Sequence, residues 1–524
     1  MPELLYSAVR KIRIHPAIGV TRLGNHPEAY FIGPEIPGVV NKPVNGYKMA
    51  GMVKRQGVRF RLYAYDKNDE LLGEITEQDA SISWSVELAN KKAEWKQFDG
   101  LFESDYRRNE HVKQSAQRKR LVIGPEKHSL TGPDKAVMFD NSSFTAFQLP
   151  GECGGRCQRA LNARTVDNIT LGEMITDKAG RLIVLGGYGQ SGAPFGDSAD
   201  HYANNDGWYD DIADGPVDAR VRFHGSKETV RAEGAWVISA PPDFAPEIGN
   251  IVSMYDVLYD KAVQSGQLTR PQQPSFSHDI YPLLKRALDI RWVFDIGTQH
   301  QSLETVLQPG APASLRQLVF NSLRNPDGSG GGIMPKLYTE VDAIYAAGLS
   351  VTPTQYEMLK QWRDGEFVID TPKGNPEITP EGLDRAALDA CVGGGFFPGI
   401  EMGWFLRDKL KFSEFLRIDR QQPTVLPDKR LQAGDITKQM ALPWQADFAK
   451  CAKEPEGESS YYGWWPTVRP DDVLPENGFR PEPWARGVSL DGDHKAMAEK
   501  WFRLGFVVRV GDEYRETERS GELL

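Results

Sequence analysis

Alternating and β-branched apolar positions mark the first half of the chain as rich in β-strands. Such runs, bounded by turn sequences such as Asn45-Gly46, predict strands at Val9–Ile14, Arg59–Tyr65, Ser81–Leu88, Arg181–Leu185 and Ala235–Ala240. The charged stretch Asp105–Arg120 has no clear period and predicts a solvated loop or an exposed helix. Pro241 and Pro242 follow the last strand directly, so the β-rich part is expected to end near this point.

The second half of the chain has the periodicity of α-helices instead. Ser277–Ile290 carries apolar residues at helical spacing, and Asp491–Leu504 predicts a late helix. Thr352-Pro353 and Thr379-Pro380 each place a capping residue before a proline at the first helical position, which is a common helix start. Helices are therefore expected to follow the strands along the chain.

Together the two patterns predict an α+β fold. A β-rich N-terminal domain over residues 1–250 is expected to pack against a mainly helical, loop-rich domain over residues 275–524, a division that suits a chain of 524 residues. Hydrophobic residues make up 40% and charged residues 26% of the chain, which excludes a disordered protein. The net charge of −10 argues against nucleic acid or an anionic membrane as the main partner.

Three short motifs have a structural interpretation and a functional one. Gly187–Gly192 matches a dinucleotide-binding pattern, but loop residues follow it where a helix is required, so a turn with close backbone approach is favoured. Cys153 and Cys157 lack the paired ligands of a zinc site and predict free thiols or a local disulfide. The acidic loop Asn204–Gly215 fits either a hard-cation site or a loop of Asx turns. No metal site is assigned from the sequence.

The stretch around Cys451 is the most informative for chemistry. Asp447 precedes Cys451 by four residues, so a helix would place carboxylate and thiol on one face. Trp464 follows 13 residues after the cysteine, with Trp465 next to it. A thiolate can attack an oxidised indole, and a nearby acid can accept and donate the protons of that reaction. Spacing alone also fits a buried cysteine beside a tryptophan pair in a hydrophobic core.

Several long motifs, in order, resemble one family of enzymes. They span most of the chain: Lys11–Asn25, Asn205–Pro216, Phe276–Arg286, Cys391–Glu401 and the Trp464-Trp465-Pro466 block. The chain is similar in these segments to the cysteine tryptophylquinone oxidases, which include L-lysine ε-oxidase and glycine oxidase. The resemblance implies that Cys451 is cross-linked to an oxygenated tryptophan, either Trp464 or Trp465, with a slight preference for Trp464. It also implies that Asp447 is the acid needed to build the cofactor, and we take it as the candidate catalytic base.

The resemblance further implies the reaction and two substrate-binding positions. A primary amine of a free amino acid would condense with a quinone carbonyl as a Schiff base and lose a proton, and hydrolysis would then release the oxidised product. Dioxygen would reoxidise the ring, with release of hydrogen peroxide and ammonia. Tyr209 and Cys391 match positions in the family's active site, and acids near Tyr209 could favour a cationic substrate. An arginine such as Arg469 could hold a substrate carboxylate.

The expected partners and location follow from the same resemblance. The family matures its quinone with a separate flavoprotein, and it forms homo-oligomers. No apolar run long enough for a transmembrane helix is present, and no secretory signal is visible, so the cytoplasm is the default location, with non-classical secretion as an alternative. The competing hypothesis is a non-catalytic scaffold or interaction protein of the same family that lacks the mature quinone.

Overall fold

The computed structural model of the protein describes most of the chain. The described residues are 6–96, 108–148, 162–294, 303–330, 332, 334, 336–337, 350–370, 377–393, 400–402, 412–420, 431–450, 463–464, 466–489 and 493–520.

Strands dominate the first 240 residues and helices the remainder. The strands are β1 Lys11–His15, β2 Ile18–Arg22, β3 Tyr30–Ile32, β4 Lys48–Met49, β5 Met52–Val53, β6 Arg55–Tyr65, β7 Leu71–Ile75, β8 Ala80–Asn90, β9 Ile123–Thr131, β10 Ala136–Phe139, β11 Ser142–Phe147, β12 Ala163–Ile169, β13 Gly172–Thr176, β14 Leu182–Gly186, β15 Ser191–Gly192, β16 Tyr209–Asp210, β17 Asp214–Phe223, β18 Val230–Arg231, β19 Ala235–Ala240, β20 Lys336–Leu337, β21 Phe412–Glu414, β22 Arg417–Ile418, β23 Gly463–Trp464, β24 Asp472–Val473, β25 Glu482–Pro483, β26 Phe506–Val510 and β27 Glu513–Thr517. The α-helices are α1 Ser115–Arg118, α2 Met254–Gln264, α3 Tyr281–Asp289, α4 Ala313–Ser322, α5 Pro353–Asp364, α6 Pro380–Asp389, α7 Trp444–Lys450 and α8 His494–Lys500. This order confirms the predicted α+β class.

One large sheet organises the N-terminal part. Over the described residues it has thirteen strands, in the order β10-β13-β14-β6-β2-β19-β17-β8-β9, with β1, β3 and β7 added on β6 and β18 on β17. Most neighbours are antiparallel, while β2 runs parallel to β19 and β3 parallel to β6. The end strands β9 and β10 contact each other. The sheet therefore curves back on itself around a hydrophobic interior.

Strand β6 is the centre of this sheet, and both of its faces are covered. Its register sets Leu62 opposite Ile14 of β1 and Phe60 opposite Leu182 of β14. Two of its arginines, Arg55 and Arg61, are buried as well, and Arg61 pairs with Glu35 at 2.8 Å. An alternating strand is usually exposed on its polar face. Here Arg55 and Arg61 are buried because each has an acidic partner, Glu173 for the first and Glu35 for the second.

The apolar interior consists of several clusters of buried side chains. One cluster fills the interior enclosed by the large sheet. A second packs the helices against the C-terminal hairpin β26–β27. A third lies between strands β2 and β19 and the helices α2 and α6. This third cluster, which includes Ile18 and Leu388, attaches the helical part to the sheet. The predicted domain limits, 1–250 and 275–524, stay a prediction.

The predicted elements agree with the structure where the signals are local. Thr352 caps α5 in a complete capping box, and Thr379 caps α6 through the amide of Gly382. The helix predicted over Ser277–Ile290 differs at its start, because a π-helical turn over Phe276–Ile280 precedes α3. The glycine motif Gly187–Gly192 is followed by turns rather than a helix, which agrees with the turn interpretation.

Candidate active site

The acidic loop binds the segment that leads into helix α7. Oδ1 of Asp214 accepts hydrogen bonds from the amide of Thr437 at 2.8 Å and from its hydroxyl at 2.6 Å. Oδ2 accepts one from the indole of Trp236 at 2.9 Å. Burial raises the pKa of Asp214 to about 6, although these donors oppose the rise. The carboxyl group thus fixes the chain seven residues before α7 begins.

Asp210 of the same loop meets the first residue of α7. Its Oδ2 accepts a 3.0 Å hydrogen bond from the amide of Trp444 and forms a fully buried ion pair with Lys92. The side-chain amide of Asn90 donates to Oδ1 at 2.9 Å. Burial lowers the pKa of the Lys92 ammonium to about 8, against the attraction of Asp210. Sheet and helix are therefore joined by a buried charge pair.

Arg108 is a third anchor, and the sequence did not indicate it. The stretch around it was predicted to be solvated, but its side chain is completely buried. Its guanidinium donates to Oδ1 of Asn204 at 2.7 Å, to the carbonyl of Lys438 at 3.0 Å and to that of Met440 at 2.5 Å. A fully buried arginine needs several acceptors. Here they come from the acidic loop and from the approach to α7.

The acidic loop is better explained as this anchor than as a cation site. Its carboxylates at 210 and 214 are occupied by protein donors, and across the described ranges no cluster of three or more His, Cys, Asp or Glu side chains could hold a metal ion. The donors come from distant segments, so the bonding is not the self-contained set of Asx turns that the sequence allowed. Asp210 is also neutralised by Lys92, which removes it as an attractant for a cationic substrate.

Helix α7 presents its apolar side to an aromatic cluster. The ring of Trp444 lies edge-on to that of Phe448, with centroids 5.1 Å apart, because residues four apart share a helix face. Trp501 contacts Trp444 at 5.3 Å, and Phe244 and Trp484 contact each other at 4.9 Å beside Phe448. All five rings are buried. This packing excludes water from one side of α7.

Asp447 lies in the same helix and is paired with an arginine. Its Oδ2 is 3.0 Å from Nε of Arg469, and the two side chains are 9% and 2% exposed. Helix α7 ends at Lys450, so the predicted cross-linking residue Cys451 comes next in the chain but lies outside the described residues. The pairing differs from the expectation that Arg469 could hold a substrate carboxylate, since its guanidinium faces a carboxylate of the protein.

The tryptophan pair is described in part. The backbone of Trp464 forms β23 and is paired in parallel with β20, opposite Leu337. Its side chain, and all of Trp465, lie outside the described residues. A cross-linked quinone fits the residues that are described, because a buried acid precedes Cys451 by four residues and is bound to the segment that follows the tryptophans.

Tyr209 lies close to the start of α7 through its own strand. It forms β16 with Asp210 and pairs with β15 opposite Gly192. Its half-buried ring contacts Phe144, with centroids 5.3 Å apart, and burial raises the pKa of its phenol. Because Asp210 bonds to Trp444, the strand of Tyr209 and the helix of Asp447 are direct neighbours.

Cys391 lies in a different cluster of buried polar groups. Its thiol donates to the carbonyl of Ala387 at 3.3 Å, and burial raises its pKa well above the ordinary value. Next to it, Arg22 pairs with Glu401 at 3.0 Å and approaches Asp243 at 4.0 Å. Burial raises the pKa of Glu401 to about 7, which Arg22 opposes. The described contacts of Cys391 do not include Asp447 or Tyr209.

Sequence models of one family match the two parts of the chain separately. The L-Lysine epsilon oxidase N-terminal model matches residues 15–239, and the L-lysine epsilon oxidase C-terminal domain model matches residues 335–467. The two matches together cover more than half of the chain. The chain belongs to the L-lysine ε-oxidase family. It is therefore an oxidoreductase that acts on amino groups, as the resemblance implied.

Comparison with known relatives supports the same family assignment. The chain is 29% identical to L-lysine 6-oxidase of Marinomonas mediterranea over 528 residues, covering 84% of this chain and 71% of that protein. The crystal structure of L-Lys epsilon-oxidase from the same organism superposes with a TM-score of 0.74 at 24% identity, over 97% of this chain and 94% of that one. A structure of the Schiff base intermediate of that oxidase with L-Lys superposes equally well, over 97% and 95%. This member of the family therefore shares the fold of those structures.

The helices of this family member give no sign of a membrane span. Among the described residues, every helix is too short or too polar to cross a bilayer.

Proposed function

We propose that this protein is an oxidase that removes a primary amine from a free amino acid by means of a cysteine tryptophylquinone. The cofactor would form from Cys451 and either Trp464 or Trp465. In the overall reaction, the amine, dioxygen and water give a carbonyl product, ammonia and hydrogen peroxide. The observation that carries the proposal is the buried Asp447, which precedes Cys451 by four residues and is paired with Arg469.

The residues of this chain have distinct roles in the proposal. The quinone would supply an electrophilic carbonyl and a two-electron acceptor, which natural side chains lack. Asp447 would take the proton from the carbon that bears the amine, and its place on a rigid helix suits a base that must stay within hydrogen-bond reach. Trp444 and Phe448 keep water away from the buried side of the helix. Tyr209 and Cys391 remain the proposed substrate-binding positions.

Family membership supports a free amino acid as the substrate class. A relative with the same fold has been captured as a Schiff base intermediate with L-Lys. We infer an amino acid here without choosing between a side-chain amine and an α-amine. Dioxygen is the proposed oxidant because it regenerates the quinone without a second protein.

A maturation partner is part of the proposal. The cross-link forms one carbon–sulfur bond and loses the thiol hydrogen and one ring hydrogen, and two further ring carbons each exchange a hydrogen for an oxygen. These oxidations need dioxygen and an enzyme that activates it, for which we propose a flavoprotein. The mature chain should therefore gain two oxygen atoms and lose four hydrogens relative to the encoded sequence.

Intact mass and peroxide release test the proposal together. The protein is co-expressed with its flavoprotein partner, its mass is measured, and a panel of amino acids including lysine and glycine is assayed for peroxide. Cys451→Ala is the matched control and should show neither the mass change nor turnover. A parent protein with the encoded mass and no turnover would instead support the non-catalytic scaffold.

A further inference from the structure

We propose that Arg469 is a positioning residue, which binds the segment after Trp464-Trp465 to Asp447 of helix α7, four residues before Cys451 in the sequence, before the cross-link forms. This inference rests on the proposed function, since it concerns how the same site is assembled. It assigns Arg469 no contact with substrate.

The buried ion pair is the first observation behind this inference. Nε of Arg469 lies 3.0 Å from Oδ2 of Asp447, with both side chains almost completely buried. A buried charge that loses its partner is strongly unfavourable, because neither water nor another charge replaces it. Movement of residue 469 away from α7 would separate these charges. The pair therefore resists such movement in the folded chain.

The positions of the two residues along the chain connect the ion pair to the cross-link. Asp447 comes four residues before Cys451, and Arg469 comes four residues after Trp465. Four residues span at most about 14 Å when fully extended. The ion pair thus holds together the two ends of the chain segment from residue 447 to residue 469. Holding these ends together limits how far the cysteine and the tryptophans can separate.

Backbone contacts hold the same segment from its other side. The amide of Thr467 donates to Oδ1 of Asn250 at 3.0 Å, and the amide of Phe244 donates to the carbonyl of Val468 at 3.0 Å. The ring of Phe244 in turn contacts Phe448 of α7. These bonds set the backbone of residues 467–468, whereas Arg469 connects the segment to α7 by a side chain.

An arginine suits this position better than a lysine. Its planar guanidinium keeps the charge at all relevant pH values and offers several donors in a fixed geometry. Cross-linking needs sulfur and ring carbon to be held in the reacting geometry, and a displacement of about 1 Å can reduce a rate by about 100-fold. We therefore expect Arg469→Met to reduce the rate of cross-link formation by roughly tenfold or more.

Matched variants test the inference by a readout that does not need turnover. Arg469→Met and Arg469→Lys are each co-expressed with the flavoprotein, and the cross-linked fraction of the folded protein is measured by intact mass and peptide mapping. Arg61→Met is the control, because Arg61 is also buried and paired with a carboxylate but belongs to the central strand β6. The expected order of cross-linked fraction is parent and Arg61→Met, then Arg469→Lys, then Arg469→Met.

The other outcomes overturn the inference in recognisable ways. Full cross-linking of Arg469→Met contradicts it, and so does an equal loss in Arg61→Met, which would indicate a general effect of stability. Should Arg469→Met fail to fold, Arg469→Gln decides, since it removes the charge that pairs with Asp447 but keeps a polar side chain. Parent-like cross-linking of the glutamine variant would then reject the inference. A parent that carries no cross-link would reject the proposed function itself, which is a separate result.

Discussion

The backbone amide of Trp444 donates a hydrogen bond of 3.0 Å to Oδ2 of Asp210. The first residue of α7 is thereby bound to a loop more than 200 positions earlier in the chain. The same carboxylate is paired with the buried Lys92, which belongs to the segment after β8. Helix α7 therefore starts from a fixed point on the sheet, and the placement of Asp447 one turn later depends on this charge pair.

Loss of the Asp210 carboxylate should destabilise the whole protein. Asp210→Asn leaves the ammonium of Lys92 buried without its partner, and breaking a buried pair in this way costs about 3–5 kcal/mol. Chemical denaturation at neutral pH measures the change in the free energy of unfolding. Asp167→Asn, at an exposed position, is the control and should stay within about 0.5 kcal/mol of the parent. If Asp210→Asn is as stable as the parent, the pair contributes nothing to the fold.

Asp211 should make stability depend on pH in the neutral range. It is completely buried, its Oδ2 accepts from the amide of Gln190 at 3.0 Å, and burial raises its pKa from 3.8 to about 8. Between these values the folded protein binds the proton more tightly than the unfolded chain. The contribution of Asp211 is thus fully present below about pH 4 and is lost as the pH rises to about 8, with a slope of up to about 1.4 kcal/mol per pH unit.

Asparagine at position 211 removes this titration while keeping the shape of the side chain. The free energy of unfolding of Asp211→Asn should therefore fall less steeply between pH 5 and pH 8 than that of the parent. Denaturant titrations at several pH values measure both slopes. Identical slopes would show that Asp211 is ionised in the folded protein throughout this range.

Sequence patterns predicted those parts of the molecule that depend on neighbouring residues. The caps at Thr352 and Thr379 need only residues three positions away, and both are formed. The spacing of Asp447 and Cys451 would place both on one face of a helix, and the structure describes this segment as α7 as far as Lys450. The partners of Arg108 and Arg469 are set by tertiary packing instead. Arg108 donates to a carbonyl 332 positions away, which no local pattern indicates.

Asp447→Asn should impair both maturation and turnover. The variant keeps the shape of the side chain but removes the charge that faces Arg469, so the mass change of maturation should be largely lost. In any matured fraction, turnover should fall about 100-fold or more, which is the usual contribution of a general base. Intact mass and peroxide release per quinone measure the two effects. Glu499→Gln, an exposed carboxyl on the neighbouring α8, should leave both unchanged, and parent-like values in Asp447→Asn would remove Asp447 from both roles.

Single replacements should identify the tryptophan that carries the quinone. The backbone of Trp464 is held in β23 by its pairing with β20, opposite Leu337. A paired strand positions a cofactor residue precisely. We therefore expect Trp464→Phe to abolish the mass change and Trp465→Phe to keep it. Peptide mapping of both variants measures this, and the reverse result would assign the quinone to Trp465.

Cys391 should resist thiol reagents in the native protein. Its side chain is completely buried, the thiol donates to the carbonyl of Ala387, and burial raises its pKa well above the ordinary value. Thiolate is the reactive form, so both access and ionisation limit the reaction. Alkylation at pH 8 followed by peptide mapping should label Cys391 only after denaturation. Rapid labelling of the native protein would instead show that the reagent reaches the thiol of Cys391 without unfolding.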